Sequence, residues 1–251
     1  MQKDTLSGQH AILPLAPVAA KVSNAPILPD AVMRANVHCQ PTAENVTTSN
    51  IWQGMAVTQI VRYLSHPQVL IDPAKPVPTW SLSEVGAKRV AVLAASSALS
   101  GTKHLISSSE TKAIETATPL AEALDCRLMV REAMHENDRS ATGFLPPDEF
   151  ESVADQFFAH PHKSVRGWET AKAAQGRIVK EVHDCLKTCS FGDVLIVGHG
   201  GVGTLLFCHL SDAQISRKFD QGAGGGGCYF EFTAPYSKSL AGRLETDREP
   251  D

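Results

Sequence analysis

No run of residues in this chain is long and apolar enough to span a bilayer, so no membrane-crossing helix is expected. Excess positive charge is also missing. Twenty-three Lys and Arg stand against 27 Asp and Glu, and the formal net charge of −4 argues against a nucleic-acid or anionic-membrane partner. Cysteine is sparse: six in 251 residues do not make a disulfide framework, and there is no Cys-x-x-Cys pair or Cys/His cluster for zinc. Cys185 and Cys189 read as packed thiols, and a reducing cytoplasm is the expected location. A secretory signal is not expected, because Ala11 to Ala20 is broken by Pro14 and Pro17 and preceded by Asp4. A Gly-x-Ser-x-Gly elbow is absent too, which removes the serine esterase reading of His199-Gly200-Gly201.

What is present is a chain with 43% hydrophobic residues, enough to bury a core. Residues 1–55 carry Pro14, Pro17, Pro26, Pro29 and Pro41 and no periodicity, and are expected to be a disordered extension. Met55 stands directly before the first strand, so the upstream segment is expected to be dispensable, or an artefact of start-site choice. Residues 56–236 read as one domain and 237–251 as a polar tail.

Within the domain, apolar strands alternate with amphipathic helices. Strands are expected at about Thr58–Leu64, Lys103–Ser107, Arg127–Val130, Asp193–Val197 and Cys228–Phe232. Helices are expected from a Ser81/Glu84 capping box to near Gly101, from Ser107–Glu110 with a break at Pro119, from Gly167 to about Cys189, and after His199 through Leu210. The stretch Glu132 to Arg166 reads as an irregular excursion with interleaved phenylalanines, folded over something. This pattern predicts an α/β protein, three-layer α/β/α with a mostly parallel sheet.

Two histidines follow strand ends, His66 in Ser65-His66-Pro67 and His199 in Gly198-His199-Gly200-Gly201. Open α/β sheets bind ligands at that edge. Each histidine alone also fits a plain turn, His199 less so because the flanking glycines allow close backbone approach. Between them lie Ser107-Ser108 with Lys112, and Met134-His135-Glu136-Asn137-Asp138.

In this order the motifs resemble the histidine phosphatase superfamily, the phosphoglycerate mutase-like proteins. Ser65-His66-Pro67 is similar to its Arg-His-Gly. Ser107-Ser108 through Lys112-Ala113 to Glu115-Thr116-Ala117 resembles its second motif. Glu136 matches its acid, Gly167-Trp168-Glu169-Thr170 its Gly-Glu-Ser, and Gly198 to Gly201 its Gly-His-Gly-Gly. The resemblance covers about residues 57–233, and the chain looks like a divergent bacterial-type member.

The resemblance implies that His66 becomes phosphorylated, that Glu136 is general acid and base (Asp138 is its rival), and that His199, Lys112, Ser65 and the amides of Gly200 and Gly201 hold the phosphoryl group. Chemically this is apt, since a neutral imidazole is a competent nucleophile near pH 7. The implied partner is a small phosphate ester or a phosphoprotein, with no cofactor and no metal.

Two positions depart from the family: an arginine is replaced by Ser65, and a second by Lys112, which keeps charge but loses the bidentate fork. Arg139, and less directly Arg166, are candidates to compensate; Arg62 lies too far up its strand. A weakened phospho-ligand-binding protein of the same fold is therefore the alternative to a phosphatase. Residues 198–203 also satisfy a dinucleotide-type glycine pattern, but no strand ending in an acid follows. His160 and His162 are a further, weaker metal candidate.

Overall fold

The computed structural model describes residues 59–221 and 225–234. The expectations for the N-terminal extension, Met55 and the C-terminal tail fall outside them.

Five strands form one sheet: β1 (Gln59–Ser65), β2 (Thr102–Ser108), β3 (Leu128–Arg131), β4 (Asp193–Gly198) and β5 (Tyr229–Ala234). Their order is β3-β2-β4-β1-β5. All pairings are parallel except β1 with the edge strand β5. Five helices flank the sheet: α1 (Glu84–Ala94), α2 (Thr111–Ala123), α3 (Pro147–Ala159), α4 (Ala171–Leu186) and α5 (Gly200–Leu210). The period-2 alternation of the central strands divides the core. Val61, Tyr63, Ile106, Val194 and Ile196 face α3, α4 and α5, whereas Leu64, Leu105, Leu195 and Val197 face α1 and α2. The expected three-layer α/β architecture is what the chain adopts. Among the described residues no helix is long and apolar enough to cross a membrane.

The connections place the site. After β1 the chain passes through α1 to β2 on one side, and after β4 it passes through α5 to β5 on the other. The strand order therefore switches direction between β1 and β4, where a crevice opens at the carboxyl ends. Ser65 lies opposite Gly198, and Ser107 opposite Val197, so His66, Ser108 and His199 emerge together.

Local details differ from the sequence reading. Helix α1 starts at Glu84, capped by Ser83, whose hydroxyl accepts the Gly86 N–H at 3.1 Å. Ser81 cannot serve because Leu82 is drawn into a bridge with Val69. The helix ends at Ala94, and Val85 and Val92 on it are exposed. Pro119 lies inside a continuous α2. Helix α4 begins at Ala171 behind the Thr170 cap, not at Gly167. The excursion contains α3, an amphipathic helix burying Val153, Ala154, Phe157 and Phe158. Its signals were in the sequence: Pro147 in the first turn, acids at Asp148 and Glu149, and apolar residues at 150, 153, 154 and 157.

Candidate active site

His66 begins the loop after β1. Its N–H donates to Gly198 O (2.9 Å) and its carbonyl accepts from Gly227 (3.1 Å), so the chain on either side of β1 fixes it. A Cβ at Gly226, where φ is +75°, would stand 2.2 Å from the His66 carbonyl oxygen; only glycine closes this turn. His66 Nδ1 lies 2.9 Å from Pro67 O. A carbonyl only accepts, so Nδ1 carries the proton and the Nε2 lone pair is free. Burial pushes the His66 pKa below its ordinary value, which keeps the ring neutral at pH 7.

His199 is fully buried, with its ring 5.3 Å from that of His66. Tyr63 holds its backbone from both sides: the phenol donates to His199 O (3.1 Å) and accepts the His199 N–H (3.0 Å). Ser108 Oγ accepts the Glu110 N–H (3.3 Å) and lies 2.8 Å from His199 Nε2, a contact in which either the hydroxyl or the ring N–H can donate. With Ser108 as the donor, His199 is the Nδ1–H tautomer, and that buried Nδ1 has no partner in the protein. Burial drives the His199 pKa down to about 3, against the pull of Glu110.

Glu136 caps α5. Its Oε2 accepts from Gly201 (3.0 Å) and its Oε1 from Val202 and Asn137 (both 2.9 Å). The Gly201 amide, expected to be open to phosphate, is thus engaged; Gly200, the first residue of the helix, is not bonded to Glu136. Burial opposes ionisation of Glu136, but Arg139, His199 and the Asn137 amide outweigh it and hold the carboxyl below its usual range. The amide nitrogen of Asn137, also buried, is another donor without a partner. Arg177 positions this segment. Its guanidinium donates to the carbonyls of Ala133 (2.9 Å), His135 (2.8 Å) and Glu136 (3.2 Å), and pairs in bidentate fashion with Glu169 (2.7 and 3.1 Å). Arg177 went unnoticed in the sequence, because it sits 41 residues from Glu136 and no motif marks it.

The Lys112 amine is buried, ion-paired with Glu110 and hydrogen-bonded to Val77 O at 3.0 Å. Ser65 is buried as well; its hydroxyl faces Gln221 Oε1 and Cys228 O and accepts the Cys228 N–H. Arg139 lies over Phe150 (5.1 Å) and Trp168 (5.6 Å), and its charge reaches Glu136 from there. Arg166 pairs with Glu149. Arg62 pairs with Asp193 and Glu231, at the far end of its strand. Asp138 is exposed, its carboxylate capping Ser140. His160 and His162 gather no third ligand; among the described residues no cluster of three His, Cys, Asp or Glu could hold a metal. Glu110 was read only as a capping residue, yet its carboxylate caps nothing. It joins Lys112, the Glu136 N–H (2.8 Å) and, at 3.6 Å, His199 Nε2.

A family model described as histidine phosphatase superfamily, branch 1, matches residues 76–227. The match begins after His66. No curated protein sequence matches the chain. Among solved structures, a protein titled mycobacterial hydrolase 2 is 16% identical with a TM-score of 0.60, over 73% of this chain and 85% of that one. A mycobacterial glucosyl-3-phosphoglycerate phosphatase is 17% identical, TM-score 0.56, over 73% and 94%. A phosphoserine phosphatase mutant from Entamoeba histolytica, in complex with phosphoserine, is 13% identical, TM-score 0.58, over 69% and 90%. At these identities the likeness is one of fold.

Proposed function

Because the chain belongs to branch 1 of the histidine phosphatase superfamily, we propose that it is a phosphatase acting through a phosphohistidine on His66. The observation that carries this reading is the His66 tautomer: with Nδ1 bonded to Pro67 O, a neutral Nε2 is left as nucleophile beside His199. Nε2 attacks phosphorus, and Glu136, which takes up a proton when the bound substrate's negative charge raises its pKa, protonates the leaving oxygen as the P–O bond breaks. Water then attacks phosphorus and gives its proton to Glu136, while the P–N bond breaks and its electron pair returns to Nε2. His199 Nδ1–H and the Gly200 amide at the start of α5 hold the phosphoryl oxygens. The reaction so drawn needs no metal or organic cofactor.

The substrate is a phosphomonoester, or a phosphoramidate such as phosphohistidine on a protein. Similar structures titled as glucosyl-3-phosphoglycerate and phosphoserine phosphatases support a small phosphate ester. Hydrolysis is preferred to mutase chemistry, which must bind a second charged group with extra basic residues. A cytoplasmic location goes with this reading. The second reading, a phospho-ligand binder with weakened catalysis, is favoured by the engagement of Lys112 with Glu110. Turnover of an aryl phosphate across pH 5–8 by wild type and His66→Ala separates the two. A phosphatase loses turnover and the trapped phosphohistidine in the variant; a binder has neither in wild type and is still stabilised by phosphate.

A further inference from the structure

Lys112, Glu136 and Glu110 act electrostatically on both His66 and His199. They come from α2, from the segment between β3 and α3, and from the residue before α2. One is positive and two are negative. Arg139 adds its charge to Glu136 from above Phe150 and Trp168, Arg89 donates to Gly226 O (3.5 Å) at the turn that closes on His66, and both imidazoles are neutral. Glu110 offsets the charge of Lys112. It is 7% exposed, grips the Lys112 amine, itself 3% exposed, and approaches His199 Nε2 to 3.6 Å. The donors left over are neutral ones, His199 Nδ1 and Asn137 Nδ2, both buried without a partner.

A phosphomonoester dianion entering this crevice would face two carboxylates with only one directly opposed ammonium. Like charges brought together out of water are strongly disfavoured. Neutral N–H donors suffice for one negative charge.

We infer that Glu110 is a specificity-determining residue: by neutralising Lys112 it restricts the site to phosphoryl groups carrying a single negative charge, a phosphodiester or a singly protonated monoester. This rests on the phosphatase reading, narrows its monoester class to the singly protonated form and adds phosphodiesters to it. A protonated monoester also brings in the proton that Glu136 lacks at rest, so the same charge balance serves binding and leaving-group protonation.

The experiment compares wild type with Glu110→Gln, and with Glu110→Leu should the glutamine variant unfold. Inorganic phosphate and dimethyl phosphate are titrated calorimetrically at pH 8, and turnover of 4-nitrophenyl phosphate and its methyl ester is followed from pH 5 to 8. Wild type is expected to bind dimethyl phosphate the tighter. Its kcat/KM on the monoester should fall about tenfold per unit above the second phosphate pKa near 6, with the methyl ester flat. Glu110→Gln should gain at least tenfold in phosphate affinity and flatten the monoester profile. If turnover is present but neither preference nor profile changes in the variant, the inference fails and the phosphatase reading stands. If the binding preference reverses but no enzyme turns over, Glu110 has the inferred role and the phosphatase reading fails.

Discussion

Replacing Arg177 by methionine should separate stability from catalysis in a measurable way. The substitution keeps the aliphatic stem and deletes a guanidinium that serves three carbonyls and one carboxylate. Glu169 is left with 17% of its side chain exposed and no cation opposite it. Breaking such a pair costs about 3–5 kcal/mol, much of it from the stranded charge. For a domain of this size that corresponds to a fall in Tm of roughly 6–20 °C. The effect on turnover should be separate and large. The segment Ala133 to Glu136 loses its anchor, and a displacement of about 1 Å in a reacting group costs on the order of a hundredfold. Calorimetry gives the first quantity and aryl phosphate kinetics at a temperature well below Tm give the second. The cycle with Glu169→Gln should show coupling of about 0.5–3 kcal/mol. A Tm within about 2 °C of wild type, or strictly additive single variants, would refute the claim that this pair holds the Glu136 segment in place.

Acid should destabilise the fold through its buried histidines. His199 titrates near the ordinary 6.5 when unfolded and at about 3 when folded, so the unfolded chain holds the extra proton between those values. Stability is then full above pH 6.5 and falls by up to about 1.4 kcal/mol per unit below it. Urea midpoints at pH 7 and pH 5 should differ less in His199→Gln than in wild type; equal slopes would contradict the burial argument. Gly226→Ala should lower stability by about 1–2 kcal/mol from the left-handed backbone alone, and more from the clash with His66 O. A Tm unchanged in that variant would mean the turn does not hold His66.

The alternation of strands and helices was legible because the apolar residues of β1 and β4 fall in short unbroken runs and those of α2 and α4 at helical spacing. The glycine-flanked His199 was legible for a related reason: few folds need four small or reactive residues in a row at a strand end. Helix α3 was missed because the surrounding prolines and polar residues masked a sound 3-4 periodicity. The start of α1 was misplaced because a bridge between Val69 and Leu82, distant in sequence, overrode local capping. The site's wiring was the least legible. Glu110 fits a helix-opening pattern equally well whether it caps a helix or binds an ammonium, and Arg177 reaches its carbonyls only after α4 has docked.

The antiparallel pairing of β5 on β1 sets an order of events during folding. β1 is the first described strand and β5 the last, and the turn into β5 brings Gly227 to the His66 carbonyl. Until some 160 intervening residues have been made and β5 has docked, β1 has one unpaired side and His66 lacks part of its frame. Such a long-range contact is slow to form. The crevice can assemble its β4 wall early, but His66 is locked only at the end, so a chain arrested before β5 would present both histidines without the frame that joins them.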